Sequence, residues 1–219
     1  GTYWKFIFFN GSRYFIGSTP ERHLYVEGGR VKMNPISGTF RKPNSYNRRS
    51  EFKAELMSFL DNPKEINELF MVVDEELKMM SRMCSQGGAI IGPLLKEMSK
   101  LIHSEYLLSG ESDKDVIELF KDSMFAATVT GSPVENACNI IKKYGEKSRQ
   151  YYGSAILLLG RDEKGVDTLD SPITIRTLDI DRSGQFQTAA GATLVRDSIA
   201  SEEVLETEAK GAALLASIV

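Results

Sequence analysis

Two pairs of glutamates in this chain have the residue type and spacing to bind a cation. Glu203 and Glu206 lie three residues apart in a helix-like segment, so their carboxylates share one helix face. Just before them, the small residues of 189–193 predict a strand that a ligand or another backbone can approach closely. Glu65 and Glu68 repeat the spacing early in another helix, where acidic residues also occur simply because they favour the helix dipole. Glu203 and Glu206 could therefore form an oxygen-rich cation site beside this strand, whereas for Glu65 and Glu68 the residues alone favour the dipole explanation.

Two charged or titratable residues stand in apolar strand patterns. Arg176 lies within 173–177, so its cation needs either an internal carboxylate or an anionic ligand, and the sequence leaves both open. His103 lies in a predicted strand, where a single histidine is more often structural than catalytic. The polar loop 37–50 carries four basic residues and is either solvated or closes over an anion.

A capping box marks the start of one further helix. Ser132 and Glu135 have the required spacing, and Pro133 falls at the first helical position, which predicts a helix over 133–144. The free N–H groups at its start could bind a carboxylate, although most capping boxes bind nothing.

The remaining periodicity predicts an α+β domain with helices packed outside sheets. An Asn10-Gly11 turn indicates a hairpin at the start of the chain. The predicted strands cover 3–9, 13–17, 23–27, 30–36, 99–109, 151–159, 171–179 and 185–187. The predicted helices cover 50–61, 63–86, 113–124, 133–144 and 200–217, and 89–98 is expected to be a Gly- and Pro-interrupted link.

Composition excludes several classes of function. A net charge of -3 gives no basic surface for nucleic acid, and no apolar run is long enough to cross a membrane. Cys84 and Cys138 form no disulfide or metal pattern, which favours a reducing cytoplasm. The aromatic strand that follows Gly1 at once predicts that the chain begins inside a larger fold.

Taken together, the motifs resemble the chorismate-utilising family, which includes anthranilate synthase component I and the isochorismate and salicylate synthases. The resemblance covers essentially the whole chain, and its motifs occur in family order. They are Ser18-Thr19-Pro20-Glu21, Asn34-Pro35-Ile36-Ser37-Gly38-Thr39, Pro63-Lys64-Glu65-Ile66-Asn67-Glu68, His103, Thr128-Val129-Thr130-Gly131-Ser132-Pro133, Tyr151-Tyr152-Gly153, Ile175-Arg176-Thr177, Ala190-Gly191-Ala192-Thr193, Asp197-Ser198 and Glu203 to Lys210. The fold it implies is that of anthranilate synthase component I, with stacked mixed β-sheets and helices outside them.

The resemblance also implies roles for individual residues. Magnesium would be held by Glu65, Glu68, Glu203 and Glu206, and oxygen-only ligands suit that ion. Glu21 matches the acid that protonates the departing C4 hydroxyl of chorismate, which requires a carboxyl that stays protonated near neutral pH. The other implied contacts are Thr39 near the leaving group, His103 near the ring, Tyr152 and Arg176 on the pyruvyl carboxylate, and Ala190, Gly191 and Lys210 beside them.

Departures from the common family pattern favour one branch. Ser37 replaces the usual Ala, the first metal helix continues as Val73-Asp74-Glu75-Glu76, and the late glycine motif ends in Thr193. These features resemble the phenazine-type enzyme, which adds ammonia at C2 and releases 2-amino-2-deoxyisochorismate. Anthranilate synthase, which also eliminates pyruvate, is the alternative, and a truncated module that binds chorismate without chemistry is another.

The resemblance implies a partner as well as a substrate. Ammonia in such enzymes comes from a glutamine amidotransferase. Neither cysteine stands in the Gly-x-Cys-x-Gly elbow of that enzyme, and no matching His-x-Glu follows. A separate amidotransferase domain or subunit is therefore expected, and a homodimer of the full-length protein stays open. The chain is expected to be the C-terminal part of one chorismate-binding domain over 1–219.

Overall fold

The chain opens with two β-hairpins. The computed structural model describes residues 2–43 and 49–216. Strands β1 (Trp4–Phe9) and β2 (Tyr14–Thr19) form the first hairpin. At its turn the side chain of Asn10 accepts hydrogen bonds from the backbone N–H groups of Ser12 and Arg13. Strands β3 (Arg22–Glu27) and β4 (Arg30–Asn34) form the second hairpin.

The strands form two sheets, and their pairings in the described residues are antiparallel. The later strands are β5 (Ile36–Arg41), β6 (Gly88–Glu97), β7 (Leu101–Glu111), β8 (Leu158–Arg161), β9 (Asp167–Pro172), β10 (Thr177–Ile180) and β11 (Phe186–Thr188). The smaller sheet has the order β1-β2-β10-β11. The larger sheet has the order β5-β7-β4-β3-β9-β8, and β6 also pairs with β7. This arrangement confirms the predicted α+β class with two sheets.

Six helices pack around these sheets. They are α1 (Arg49–Leu60), α2 (Pro63–Met83), α3 (Val116–Asp122), α4 (Ala127–Thr130), α5 (Val134–Tyr144) and α6 (Ala200–Leu215) in the described residues. Asn62 caps α2 through its side chain, and Pro63 occupies the first turn, as the sequence predicts. The apolar stripe of α2 includes Leu69, Val73 and Met80, and it closes the main core over the larger sheet.

The chain passes between the two sheets at two places that lie side by side. The first is Pro20-Glu21, between β2 and β3, and the second is 173–176, between β9 and β10. The backbone N–H of Ile173 donates to the carbonyl of Glu21 at 3.2 Å and joins the two crossings. Arg176 has a φ of 54°, a left-handed conformation that non-glycine residues rarely adopt. This seam holds the polar residues described below.

Two predicted irregular segments are strands. Residues 36–41 form β5, so the loop predicted over 37–50 is wrong at its start, and 44–48 lie outside the described residues. Residues 88–97 form β6 rather than a link. In each case the glycine that suggested a loop lies at a shift in strand register, Gly38 in β5 and Gly92 in β6, where a bulge accommodates it.

The strand predicted over 151–159 is mostly irregular. Residues 151–154 form a turn in which Ser154 Oγ donates to the carbonyl of Tyr151 at 2.7 Å, and only β8 at its end joins the sheet. The strand predicted over 171–179 is broken at 173–176, because the chain crosses there from one sheet to the other.

Two predictions near the site are wrong in structural detail. Residues 189–193 do not form a strand, because they have no ladder partner. They are fixed instead by side chains: Lys210 donates to the carbonyl of Gly191 at 3.1 Å. The capping box is absent because Ser132 donates to Glu75 Oε2 at 2.6 Å, and α5 begins without a side-chain cap.

Across residues 2–43 and 49–216, no helix combines the length and the apolar character that a membrane crossing requires.

Candidate active site

Glu21 lies at the first crossing between the sheets and faces a cavity. Its side chain is almost fully buried, and its carboxylate receives only a long backbone hydrogen bond, 3.5 Å from the N–H of Ile36. Burial raises the pKa of Glu21 to about 7, against the weaker effects of the Ile36 N–H and the positive charge of Arg176. A carboxyl with this pKa holds a proton near neutral pH and can donate it to a ligand.

The two glutamate pairs face one another across the gap between α2 and α6. Glu65 and Glu68 come from the first turns of α2, and Glu203 and Glu206 come from the start of α6. All four surround the ammonium of one lysine, Lys64. Its Nζ lies 3.2 Å from Glu65 Oε1, 2.9 Å from Glu68 Oε2, 3.4 Å from Glu203 Oε1 and 3.2 Å from Glu206 Oε2.

The carboxylates of this cluster have hydrogen-bonding capacity that the protein does not fill. Oε2 of Glu65, Glu68 and Glu203 is buried without a hydrogen-bond partner in the described residues, although that of Glu68 forms the ion pair with Lys64. Oxygen donors of this kind suit a hard cation such as Mg²⁺. In this conformation, however, no three carboxylate, histidine or cysteine side chains of the described chain form a ready-made metal site. The residues fit the ion in their chemistry, with Lys64 between them.

The charge environment of the glutamates differs within the cluster. Burial raises the pKa of Glu65 to about 7, against the nearby charge of Lys64. Burial also acts on Glu206, but the ammonium groups of Lys210 and Lys64 together hold its pKa below the ordinary value. Lys210 lies 2.5 Å from Glu206 Oε1. The two lysines therefore keep Glu206 ionised, whereas burial favours the protonated form of Glu65.

His103 lies in β7 and offers one ring nitrogen to the cavity. Its Nδ1 lies 2.7 Å from the carbonyl of Gly38, so Nδ1 carries the proton and donates. Nε2 is then an acceptor, and it is buried with no partner in the described residues. Burial lowers the pKa of His103 to about 4, so the ring is neutral near pH 7. His103 can accept a proton from a ligand but does not carry one to donate.

The opposite wall of the cavity is cationic. Arg176 and Lys210 both line it, and Arg176 forms no salt bridge with a carboxylate of the described residues. Burial lowers the pKa of its guanidinium and raises the pKa of the neighbouring Tyr152 hydroxyl. A Cβ at Gly191 would lie 2.8 Å from Tyr152 Oη, so this position needs the absence of a side chain. The sequence left open whether Arg176 pairs with an internal carboxylate or with an anionic ligand. The described residues show no such internal ion pair.

Most of the residues singled out in the sequence meet at this one cavity. Its lining includes Glu21, Thr39, Glu68, His103, Tyr152, Arg176, Gly191 and Lys210. Thr39 also donates to Glu206 Oε1 at 3.1 Å and so connects the cavity to the glutamates of α6. Ala190 does not line this cavity and lies on the adjoining groove beside Gly191.

Three polar residues of the site received no role from the sequence. Ser37 donates to Glu68 Oε1 at 2.9 Å, and Thr128 lines the cavity with a buried, unpartnered hydroxyl. Lys64 holds the centre of the glutamate cluster. A signal for Lys64 was available, because a cation in the first turn of a helix opposes the helix dipole and calls for a specific partner.

The chain belongs to the family of chorismate binding enzymes, whose sequence profile matches residues 2–216. Among curated relatives, the chain is 49% identical to the phenazine-specific anthranilate synthase of Pseudomonas fluorescens, over all of this chain and 34% of that protein. It is 30% identical to anthranilate synthase component 1 of Bacillus subtilis, over 94% of this chain and 39% of the relative. The chain thus spans little more than a third of the length of these relatives.

Solved structures agree in fold. The menaquinone-specific isochorismate synthase of Escherichia coli superposes with a TM-score of 0.79 at 20% identity, covering 94% of this chain and 46% of that one. Anthranilate synthase component I of Streptococcus pneumoniae gives 0.79 at 25% identity, covering 97% and 46%. The resemblance drawn from the sequence motifs is confirmed.

Proposed function

We propose that this chain is part of an enzyme that aminates chorismate at C2 with loss of the C4 hydroxyl, giving 2-amino-2-deoxyisochorismate. The observation that carries the proposal is that a buried acid and a partly buried cation without a salt bridge in the described residues line one cavity. Glu21 has a pKa of about 7, and Arg176 forms no salt bridge with a carboxylate among the described residues. A dicarboxylate with a hydroxyl leaving group fits these two features together.

The bond changes assign a role to each wall. The ammonia nitrogen forms a bond to C2 while the C4–O bond breaks, and Glu21 gives its proton to that oxygen so that water leaves. The ring double bonds shift between the two positions, and the proton that the attacking nitrogen releases balances the one that Glu21 donates. Arg176 and Tyr152 hold the pyruvyl carboxylate, and Thr39 lies near the departing group.

Magnesium is part of the proposal. Glu65, Glu68, Glu203 and Glu206 are the residues that would hold it, and when bound it would act as a template and Lewis acid for the ring carboxylate. Their unpartnered oxygens support this assignment. The ammonia would come from a glutamine amidotransferase domain or subunit, consistent with relatives that are named component 1 of their enzyme.

Anthranilate synthesis is the second candidate, and His103 favours it. Elimination of pyruvate from the aminated ring requires a base that removes a ring proton as the enolpyruvyl group leaves. Nε2 of His103 is a neutral, unpartnered acceptor in the cavity, so it has the position for that step, although burial lowers its pKa to about 4 and makes it a weak base. The phenazine-specific relatives are themselves named anthranilate synthases.

We further propose that this chain is the C-terminal part of one catalytic domain. Large apolar side chains are exposed on strands that a further layer would cover, with Ile7 73%, Ile90 52% and Leu158 58% exposed. Such faces in one molecule usually mark an interface. The share of the relatives that the chain spans also supports the proposal.

The product of the full-length protein tests these alternatives. With chorismate, ammonium and Mg²⁺, mass spectrometry should find an aminated product that retains the enolpyruvyl group. An aromatic amine together with free pyruvate would identify an anthranilate synthase instead. Calorimetric binding of chorismate with no turnover would identify a binding module, and the absence of both binding and turnover would contradict the family function for this protein.

A further inference from the structure

The ammonium of Lys64 occupies the centre of the glutamate cluster. It lies within 3.4 Å of an oxygen from every one of the four carboxylates, two from each helix. Its side chain is 13% exposed, so the charge is largely removed from water. The ammonium of this one lysine therefore compensates the charge of the four carboxylates, as a bound cation would.

Without the glutamates, both the helix dipole and the loss of water would disfavour a positive charge at this position. Lys64 follows Pro63 in the first turn of α2, where the helix dipole disfavours positive charge. Among the described residues, one other ammonium reaches the cluster, that of Lys210 on Glu206. Four formal negative charges therefore face two positive ones. Without Lys64, the carboxylates of α2 would face those of α6 with little compensation.

A divalent cation held by these glutamates would need the same space. Mg²⁺ binds oxygens at about 2.0–2.1 Å in near-octahedral geometry. Lys64 Nζ already lies 2.9 Å from Glu68 Oε2 and 3.2 Å from Glu206 Oε2, one oxygen from each helix. Two cations cannot share these oxygens at such distances without strong repulsion. The lysine and the metal ion are alternatives.

We propose that Lys64 is a tethered counter-cation that holds the two helices together without metal and withdraws when Mg²⁺ enters. The inference rests on the magnesium site proposed above. It deepens that proposal by assigning a competitor built into the metal helix itself. The competition lowers the affinity for the free ion, because binding must displace ion pairs that already exist.

Magnesium binding to the full-length protein, without chorismate and at fixed pH and ionic strength, tests the inference. Lys64→Met removes the ammonium and keeps the apolar stem. Isothermal titration should show Mg²⁺ binding at least tenfold tighter than in the wild type. In EDTA the same variant should melt at a lower temperature than the wild type and gain more from added Mg²⁺. Lys78→Met is the matched control on the same helix, since Lys78 pairs with Asp74 at 2.7 Å outside the cluster, and it should change neither quantity.

A measurement on the unaltered protein covers the case in which Lys64→Met does not fold. Acetylation of lysines with and without Mg²⁺, followed by mass spectrometry of peptides, reports the exposure of Lys64. Labelling at Lys64 should rise severalfold with Mg²⁺ and stay constant at Lys78. Unchanged labelling, or a variant that binds Mg²⁺ no more tightly than the wild type, overturns the inference but leaves the product analysis untouched. If neither protein binds Mg²⁺, the inference and the proposed metal site both fail.

Discussion

The two histidines of this chain are equally buried but lie in regions of opposite character. His23 lies between the larger sheet and α3, with Nδ1 3.2 Å from Ser171 Oγ and Nε2 3.1 Å from the carbonyl of Ser123. His103 has one such partner, and its Nε2 has none among the described residues. Burial lowers the pKa of both rings to about 4. Burial and pKa therefore do not separate a structural histidine from a functional one, whereas an unfilled hydrogen-bonding position does.

The regions around the two histidines also differ in how completely their buried polar atoms are hydrogen-bonded. Six buried side-chain atoms lack a hydrogen-bond partner in the described residues, and five belong to the cavity or the glutamate cluster. The sixth is Nε of Arg22, whose guanidinium lies over the ring of Tyr3 at 4.7 Å. Since a buried polar atom without a partner costs free energy, their accumulation at one place points to a site that a ligand completes.

The largest expected effect is on kcat and comes from removing the acidic proton of Glu21. Glu21→Gln keeps the size and burial of the side chain but cannot protonate a leaving hydroxyl. We expect kcat with chorismate to fall by roughly 10²- to 10⁴-fold, the usual contribution of a general acid. Glu27→Gln, at the exposed end of the strand β3 that follows Glu21, is the matched control and should leave kcat unchanged. Equal activities for the two variants would remove Glu21 from the chemistry.

The pH dependence of the wild type provides a second test of Glu21. Because burial raises its pKa to about 7, the protonated form predominates below that pH and disappears above it. Activity should therefore decline as pH rises through about 7. For stability, the folded protein binds this proton more tightly than the unfolded chain, so the contribution of Glu21 falls as pH rises from 4.5 toward 7. In urea unfolding, Glu21→Gln should remove the part of the pH slope that Glu21 contributes.

Sequence periodicity predicted most of the fold because the buried elements follow it closely. Of the stripe predicted for α2 through Ile66, Phe70, Val73, Leu77 and Met80, Val73 and Met80 are buried in the core, whereas Phe70 is 61% exposed. The turn at Asn10-Gly11 specifies the first hairpin. The strand β6 escaped prediction because a bulge absorbs its Gly92-Pro93 interruption and the strand is exposed on most of its length. Pairing with β7, which no local pattern encodes, makes it a strand.

For the site, the spacing of the glutamates predicted which carboxylates lie together, but it did not predict that Lys64 lies between them. The i, i+3 pattern places Glu65 beside Glu68 on any helix, and the motif order singles out Glu21. That Lys64 turns inward depends on how α2 meets α6, a tertiary contact between residues far apart in sequence. Ser132 is a similar case, because its bond to Glu75 on another helix outweighs the local capping box.

The histidine comparison can be tested with one substitution at each site. His23→Gln should cost roughly 2–3 kcal/mol of unfolding free energy, because two buried partners lose their hydrogen bonds. His103→Gln should cost about 1 kcal/mol, since only the bond to Gly38 is at stake. Urea unfolding at pH 7.5 measures both values. Activity should change in the opposite order, with the greater loss at His103. A larger stability loss at His103 would contradict the distinction.

The two histidines should behave alike when the pH is lowered. Each has a folded pKa near 4 and an ordinary value near 6.5, so the unfolded chain binds more protons between these values. The contribution of the two histidines to stability should therefore be constant above about pH 6.5 and fall as the pH is lowered toward 4. Each substitution to glutamine should remove part of that loss. A pH slope unaffected by His23→Gln would show that its ring is not buried as a neutral group.

The smallest expected effect separates backbone strain from the site itself. Gly38 and Gly28 both have left-handed φ values, 62° and 55°, so alanine at either position should cost about 1 kcal/mol of stability. A Cβ at Gly28 would meet nothing within 4 Å. A Cβ at Gly38 would overlap Glu65 Oε2 and lie 2.9 Å from Phe59 Cζ, so it must displace the carboxylate. Gly38→Ala should therefore also weaken Mg²⁺ binding severalfold, measured by titration, whereas Gly28→Ala should leave it unchanged. Equal Mg²⁺ affinities in the two variants would mean that Glu65 can move without loss and does not help to hold the ion.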